Sequence, residues 1–270
     1  LIHDNPSPFY IYNMQAGVGQ RCRESGYRMI VQPCDIAAPG LLGDIGALVD
    51  QVQLDGIIVT PPVSDSVEVL AELERRRIPI VRVQPGTDLT ATSAASIDNV
   101  QAADDMTSYL ISLGHRRIGF VSGHAGYAAS TQRLTGYRQA LLRAGLGYDA
   151  ALVAPGRFDF QSGVEAAEAL LAMDHPPTAI FASSDEIAAG VLAAAHRKGI
   201  AVPRDLSVAG FDDNDLAQVV WPPLTTIRQP VHALGYAAAD LLIGAADRIE
   251  RRLLAHELIV RGSTSAPDEG

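Results

Sequence analysis

The sequence predicts an α/β fold with two doubly wound lobes, each built on a parallel sheet, and with several chain crossings between them. Short β-branched runs such as GIIVT (Gly56–Thr60) alternate with amphipathic runs such as SVEVLAELERRR (Ser66–Arg77). This alternation is typical of right-handed βαβ units. About four such units occur in each half of the chain. Its 270 residues are enough for two lobes with separate cores.

In the first half, a strand stub at Leu1–Ile2 precedes a helix from about Ile11 to Ser25. Gly26 follows this helix, and glycine commonly terminates helices because it adopts the left-handed conformation freely. The next predicted elements are, in order, strand Tyr27–Cys34, helix Leu41–Gln53, strand Gly56–Thr60, helix Ser66–Arg77 and strand Ile78–Val83. A turn-rich stretch and a short strand then lead to Asp98.

In the second half, glycines again mark the helix ends, at Gly114, Gly145 and Gly199. Ser183 and Glu186 have the spacing of a capping box, which predicts a helix start there. The predicted elements are helix Asn99–Gly114, strand Arg116–Gly123, helix Arg133–Leu146, strand Ala151–Gly156, helix Ser162–Asp174, strand Thr178–Ser183, helix Asp185–Gly199, strand Leu206–Asp213, strand Leu224–Pro230, helix His232–Ala246 and a final strand Arg251–Gly262.

Composition and charge exclude several classes of protein. The chain is 47% hydrophobic and 19% charged, which is typical of a well-packed globular protein. Its net charge of −10 argues against direct contact with DNA phosphates. No apolar run approaches the roughly 18 residues of a membrane span, and no export signal opens the chain, so we expect a cytoplasmic location without membrane contact. The start within a strand suggests that the native N-terminus is missing.

Motifs of enzymes and metal sites are absent from the sequence. There is no G-x-G-x-x-G after a first strand, no Walker lysine motif and no G-x-S-x-G elbow. The two cysteines, Cys22 and Cys34, lack the spacing of a metal site and are expected to be idle thiols. We therefore expect neither catalysis nor a cofactor nor a bound metal.

Three segments resemble the LacI/GalR family of bacterial repressors. They are LGHRRIGFVSG (Leu113–Gly123), STQRLTGYRQAL (Ser130–Leu141) and the block from Pro177 to Pro230 that contains VPRDLSVAGFDD and PPLTTIRQP. The resemblance implies the type I fold of periplasmic binding proteins, with two lobes joined by three crossings and a small molecule between them. The implied lobes are 1–115 with 228–250, and 116–227 with 251–270.

The resemblance also implies a function. The chain is expected to be the ligand-sensing core of a transcriptional regulator, with a repressor as the preferred type. It is expected to bind a small effector, with a sugar as the default, and to form a homodimer. Operator DNA would be bound by a helix-turn-helix domain that this chain lacks. The alternative is a periplasmic sugar-binding protein of a transporter, which shares the fold.

Three residues of the second lobe are implied as the main effector contacts. Arg133 belongs to the RLTG motif and is expected to bind effector oxygens, and Asp212 ends the strand LSVAGFD and is expected to accept hydrogen bonds from hydroxyls. Asp213, beside it, is equally well explained as a turn residue. Phe158 is the preferred ring-stacking aromatic, and Phe160 is the alternative.

Further residues complete the predicted site. Ser184 is an effector contact or a helix cap, and Asp185 is expected to support the site and its coupling or to be a cap residue. Asp98 and Asn99 match an Asp-Asn pair that the family often has near the cleft, and they are expected either to couple the site to the inter-lobe contacts or to contact the ligand. From the first lobe, Asn5 and Tyr10 are expected in the loop after the first strand. Arg82, inside an apolar strand, should either bind the ligand or pair with a carboxylate, because an unpaired buried charge is costly. Val220 and Trp221 are predicted at the dimer interface. The default alternative is that they are core residues.

Overall fold

The chain divides into two compact units. The computed structural model describes residues 1–244 and 248–268. Unit 1 comprises Leu1–Ile97 and Pro230–Leu254, and unit 2 comprises Asp98–Gln229 and Ala255–Gly270, so the chain passes three times from one unit to the other. The first passage lies at 97/98 and not at the expected 115/116. The helix Asn99–Ser112 belongs to unit 2 because it packs along the helix Ala128–Arg143.

Unit 1 is a six-stranded sheet with four α-helices in its described residues. Its elements are β1 (Ile2–His3), α1 (Pro8–Glu24), β2 (Gln32–Pro33), α2 (Leu41–Gln51), β3 (Ile57–Val59), α3 (Val67–Arg75), β4 (Ile80–Val83), β5 (Ser93–Ile97), α9 (Val231–Ile243) and β11 (Arg251–Leu254). The strand order is β11-β5-β4-β3-β1-β2, and every neighbouring pair is parallel. Ile2, Val59 and Leu73 are buried in the core beneath this sheet.

Unit 2 has the same plan. Its elements are α4 (Asn99–Ser112), β6 (Ile118–Val121), α5 (Ala128–Arg143), β7 (Val153–Ala154), α6 (Phe160–Leu170), β8 (Ala179–Ala182), α7 (Asp185–Arg197), β9 (Ser207–Asp212), α8 (Asp215–Val219), β10 (Thr225–Arg228) and β12 (Glu257–Ile259). The order is β12-β10-β9-β8-β6-β7, with β12 alone antiparallel among the described pairs. Two doubly wound parallel-sheet units confirm the predicted fold class.

The last predicted strand is two strands. Residues 251–262 form β11, which pairs with β5 in unit 1, and β12, which pairs with β10 in unit 2. The third passage between the units falls between Leu254 and Ala255, and interrupts what the apolar pattern of the sequence presents as one run. The last two residues of the helix predicted at 232–246 lie outside the described residues, as do the last two of the second predicted lobe.

Helix pairs approach closely where a glycine faces a backbone. A Cβ built at Gly136 of α5 would lie 2.1 Å from the carbonyl oxygen of Val100 in α4. A Cβ at Gly190 of α7 would lie 2.2 Å from the carbonyl oxygen of Phe160. Both distances are below any tolerated carbon–oxygen contact, so these two helix–helix packings require glycine.

His115 attaches the C-terminal tail to the sheet of unit 2. The imidazole is buried and lies within 2.9–3.0 Å of the Thr178 hydroxyl, the Ser207 hydroxyl and the Ser265 carbonyl oxygen. Burial lowers the pKa of this imidazole. His115 therefore holds the C-terminal tail against the sheet of unit 2.

Candidate functional site

The carboxyl ends of the parallel strands of unit 2 form one edge of its sheet, which we call the unit 2 edge. In open α/β sheets, ligands bind at this edge because the loops after the strands converge there. The loops contribute Gly123 and Tyr127 after β6, Phe158 after β7, Ser183 and Ser184 after β8, Asp212 at the end of β9, and Gln229 after β10. Arg133 joins them from the second turn of α5.

Arg133 is held by neutral acceptors and by an aromatic ring. Only 4% of the residue is exposed. Its Nε donates to Asn99 Oδ1 at 3.0 Å and its Nη1 donates to the Ser183 carbonyl oxygen at 2.5 Å. The guanidinium carbon lies 3.5 Å from the centroid of the Phe211 ring, within the range of a cation–π interaction. These contacts fix the guanidinium at the unit 2 edge.

Asp212 is a carboxyl group with an unusual backbone and a shifted pKa. Its φ is +120°, a region that non-glycine residues rarely adopt. Its Oδ1 accepts a 2.5 Å hydrogen bond from Gln229 Nε2 and lies 4.0 Å from an Arg133 nitrogen. Burial raises the pKa of Asp212 to about 7, against the opposing effect of the Arg133 charge. The carboxyl group can therefore change its protonation near neutral pH.

Asp185 and Ser184 organise the start of α7. The Asp185 carboxylate is completely buried, and it accepts hydrogen bonds from the Asn214 backbone N–H at 2.9 Å and from the Thr226 hydroxyl at 2.7 Å. Burial, followed by the charge of Asp212, raises the pKa of Asp185. Ser184 is the N-cap of α7, since its hydroxyl accepts from the Ile187 N–H.

The predicted capping box at Ser183 and Glu186 is wrong by one residue. The N–H of Ser183 still donates to the Val121 carbonyl oxygen, so Ser183 belongs to the sheet and the cap falls on Ser184. The structure thus shows the capping role of Ser184, and its contact with an effector stays a prediction.

The two candidate aromatic residues differ in environment. Phe158 is half-buried, and its ring lies edge-on to Tyr127, with centroids 5.3 Å apart. Its centroid is 5.9 Å from the Arg133 guanidinium carbon. Phe160 is 48% exposed in the first turn of α6. Of these two candidates, Phe158 is therefore the one whose ring lies near Arg133.

The Asp98–Asn99 pair separates into two roles. Asp98 is exposed and is the N-cap of α4, accepting from the Gln101 N–H at 2.9 Å. Asn99 is buried and contacts Arg133. Asp213 forms ion pairs with Arg228 and Arg261, so it supports the loop after β9. The coupling roles predicted for Asp98 and Asp185 stay predictions.

The residues predicted from the first lobe lie at the start of α1 and in β4. Tyr10 lies in the first turn of α1 and not in a loop, because Ser7 caps this helix and Pro8 occupies its first turn. Asn5 precedes the cap, and its side-chain oxygen accepts from the Ser7 N–H at 2.9 Å. Arg82 lies in β4.

Arg82 is fully buried in unit 1. Its guanidinium donates to the Thr92 hydroxyl and to the carbonyl oxygens of Ser64, Thr87 and Asp88. An Asp65 carboxylate oxygen lies 4.0 Å away. The ion pair with Asp65 agrees with the alternative in which Arg82 pairs with a carboxylate, and the hydrogen bonds to carbonyl oxygens hold the loop after β4. Contact of Arg82 with an effector stays a prediction.

Val220 and Trp221 follow α8. Val220 is half-buried and packs against the core of unit 2. Trp221 is 89% exposed and its neighbour Val219 is 76% exposed. The default core position is therefore wrong for Trp221, whereas Val220 does contact the core.

Three members of the unit 2 edge were not predicted from the sequence. Gln229 donates to Asp212, Tyr127 packs against Phe158, and Gly123 faces the Phe158 ring. Gln229 belongs to the motif PPLTTIRQP, and that motif was its only signal in the sequence. Within residues 1–244 and 248–268, no group of three or more His, Cys, Asp or Glu side chains is arranged to hold a metal ion.

Comparisons with known proteins identify the family to which the chain belongs. Residues 107–264 match the family model of the periplasmic binding protein-like domain. The HTH-type transcriptional repressor CytR of Escherichia coli strain K12 is 35% identical over 277 residues, which cover 98% of this chain and 78% of that protein. The chain belongs to the LacI family of transcriptional regulators. The HTH-type transcriptional regulator DegA of Bacillus subtilis strain 168 is 34% identical over 97% of this chain and 79% of its own length.

Solved structures of LacI-family regulators have the same fold. The transcriptional regulator CelR in complex with cellobiose superimposes with a TM-score of 0.90 at 29% identity, covering 97% of this chain and 83% of that one. A putative LacI regulator from Bacillus cereus subsp. cytotoxis has a TM-score of 0.90 at 26% identity, and the match covers 98% of this chain and 97% of that one. These LacI-family relatives are transcriptional regulators, which supports that interpretation over the transporter alternative. In the part of the chain that the structure describes, no helix has both the length and the apolar character of a membrane span.

Proposed function

We propose that this LacI-family chain is the effector-binding core of a transcriptional repressor, and that its effector is a sugar bound at the unit 2 edge. One observation carries the proposal. Arg133, Phe158 and Asp212 come from three distant segments of the chain, yet the Arg133 guanidinium lies 4.0 Å from Asp212 and 5.9 Å from the Phe158 centroid. The three groups together supply donors, an acceptor and an apolar ring.

These groups match the chemistry of a sugar. Hydroxyl groups need fixed donors and acceptors, and the C–H face of a sugar ring needs a flat apolar surface. The Arg133 guanidinium supplies charged donors, the Asp212 carboxylate supplies an acceptor, and Phe158 supplies the surface. The complex of the related regulator CelR with cellobiose supports a saccharide as the class of effector. Asn5, Tyr10, Arg82 and Ser184 are proposed as further contacts.

The effector would regulate DNA binding through linkage. The effector shifts the equilibrium between a state that binds operator DNA and a state that does not. It can do so only as far as its own affinity differs between these two states. A typical coupling of about 1–3 kcal/mol changes operator affinity by about 5–150-fold. We propose a homodimer in the cytoplasm, with Val220 and Trp221 at the subunit interface. Asp98 and Asp185 are proposed to couple the effector site to DNA binding. Operator DNA would be bound by a helix-turn-helix domain, as in HTH-type relatives.

A sugar screen tests the site. Wild-type protein is melted with millimolar cellobiose, glucose, ribose and other saccharides, since a bound ligand raises Tm by mass action. The sugar with the largest shift is then titrated calorimetrically into the wild type and into Asp212→Asn and Arg133→Ala. Both variants are expected to lose at least about tenfold in affinity, which equals about 1.4 kcal/mol. Arg138→Ala is the control, because Arg138 lies in the same helix but stacks on Tyr148.

Two results would contradict the proposal. The sugar class is wrong if no saccharide in the screen raises the Tm of the wild type. The site is wrong if a sugar binds both Asp212→Asn and Arg133→Ala as tightly as it binds the folded wild type. We also propose binding without catalysis, so the sugar should be recovered unchanged after prolonged incubation with the protein.

A further inference from the structure

The Phe158 ring points its far edge at Gly123. A Cβ built at Gly123 would lie 1.9 Å from Cζ of Phe158, 2.2 Å from Cε1 and 2.5 Å from Cε2. These three atoms form the end of the ring that is most distant from the Phe158 backbone. The ring therefore fills the space that any side chain at position 123 would occupy.

The contact at Gly123 differs from the close approaches that join the helices. At Gly136 and Gly190 an added Cβ would meet backbone atoms of a neighbouring helix. At Gly123 the three nearest atoms all belong to one side chain. The φ of Gly123 lies outside the left-handed region, so its backbone does not require glycine. A methyl group at position 123 would therefore displace the Phe158 ring and leave the backbone in place.

The backbone around Phe158 is held on both sides. Asp159, the N-cap of α6, accepts from the Ser162 N–H at 2.6 Å, and the Ser162 hydroxyl accepts from the Arg157 N–H at 3.0 Å. Phe158 itself has a φ of +62°, a strained conformation for a bulky residue. Such backbone strain persists only where the surroundings enforce it. Because the flanking hydrogen bonds hold the backbone, the direction of the ring is set by the groups that its far edge meets.

We propose that Gly123 is a positioning residue that sets the tilt of the Phe158 ring, so that the ring presents a fixed flat surface to a cyclic effector. This inference rests on the proposed sugar site. The absence of a side chain at 123 sets how far the ring leans, and Tyr127, edge-on at 5.3 Å with planes inclined by 72°, supports the ring laterally. The surface suits the C–H face of a sugar ring better than an open-chain polyol, which has no rigid face.

The test is a double-mutant cycle with Gly123→Ala, Phe158→Leu and the combined variant. Binding is measured by calorimetry with the cyclic sugar that gives the largest Tm shift in the screen, and with sorbitol as an open-chain probe. Gly123→Ala is expected to weaken the cyclic sugar by about threefold to tenfold, the range for aromatic contacts. In the Phe158→Leu background the same substitution should have little further effect, since the ring that it displaces is absent. Gly147→Ala is the control, because an added Cβ there meets nothing within 4 Å.

A second measurement needs no ligand. In protein labelled with ¹³C-phenylalanine, the Phe158 ring signals are assigned by their loss in Phe158→Leu, which is practical because the chain has only six phenylalanines. Gly123→Ala should shift these ring signals, because the ring moves relative to Tyr127, and should leave those of the other five largely unchanged.

The outcomes separate this inference from the proposed function. If the wild type binds no saccharide, the proposed function fails. If the wild type binds and Phe158→Leu weakens binding, but Gly123→Ala has wild-type affinity or unmoved Phe158 signals, the positioning role of Gly123 is wrong and the site stands. A loss in Gly123→Ala that is equally large in the Phe158→Leu background, or equally large for sorbitol, also contradicts the role.

Discussion

The Arg133 guanidinium lies 4.0 Å from the Asp212 carboxylate and donates hydrogen bonds to Asn99 and to the Ser183 carbonyl oxygen. The two opposite charges are close enough to interact through space but too far apart for a hydrogen bond. Arg133 therefore lowers the pKa of Asp212 too little to offset burial, and the pKa stays at about 7. An effector hydroxyl that donates to Asp212 would favour its ionised form.

Sugar affinity should increase with pH around neutrality. Because the ionised Asp212 is the better acceptor and its pKa in the free protein is about 7, binding below this pH has to displace a proton. Affinity is expected to fall by about tenfold between pH 8 and pH 6. Calorimetry in buffers of different ionisation enthalpy measures both the affinity and the proton released. A flat profile in the wild type, matching that of Asp212→Asn, would show that Asp212 does not contact the sugar.

The substitution Asp212→Asn should stabilise the unliganded protein at high pH. The pKa of about 7 in the folded protein lies above the ordinary aspartate value of 3.8. The folded state therefore binds the proton more tightly, and ionisation destabilises the wild type as pH rises from about 4 to 7. Asparagine does not titrate. The free energy of unfolding of Asp212→Asn should therefore exceed that of the wild type by more at pH 8 than at pH 4, and this difference should be at most about 4 kcal/mol. Urea unfolding at both pH values measures the difference. An equal advantage at both would contradict the raised pKa.

Trp221 should report on dimer formation. It is the single tryptophan of the chain and is 89% exposed. If a second copy covers it, its fluorescence emission should shift to shorter wavelength as protein concentration rises, because the indole leaves water. Trp221→Ser should then sediment as a monomer at concentrations where the wild type is a dimer. Leu142→Ser is the control, since Leu142 is 63% exposed on α5. An unchanged dimer in Trp221→Ser would place the interface elsewhere.

The substitution Gly190→Ala should destabilise unit 2. The added Cβ would lie 2.2 Å from the Phe160 carbonyl oxygen and 2.8 Å from the Val164 nitrogen, so α6 and α7 would have to separate. Overpacking of this kind costs about 1–3 kcal/mol. Denaturant unfolding is the measurement, with Gly147→Ala as the control in open space. Equal stability of the two variants would show that the helices separate at little cost.

Some features of the site were beyond prediction from the sequence. The resemblance to the LacI/GalR family pointed to Arg133, Asp212 and Phe158, and the structure places these three residues near one another at the unit 2 edge. The resemblance also favoured Phe158 over Phe160, but the contact of the Phe158 ring with Tyr127 and its close approach to Gly123 are visible only in the folded chain. Gln229 and Asn99 were invisible as partners because they lie 17 and 34 residues from the groups that they contact. Local patterns contain no information about such distant pairs.

The sequence by itself determined that the chain forms two parallel-sheet units and belongs to a family of regulators. Strands buried on both faces require continuous apolar runs, and helices that cover a sheet require one apolar stripe, so both patterns are written locally along the chain. Tertiary structure alone decided that residues 251–262 divide between two sheets, that Tyr10 lies in a helix, and that the buried Arg82 is hydrogen-bonded to carbonyl oxygens near Asp65. Strand pairing and the partners of buried charges are settled by segments far apart in sequence. They therefore appear only when the whole chain is folded.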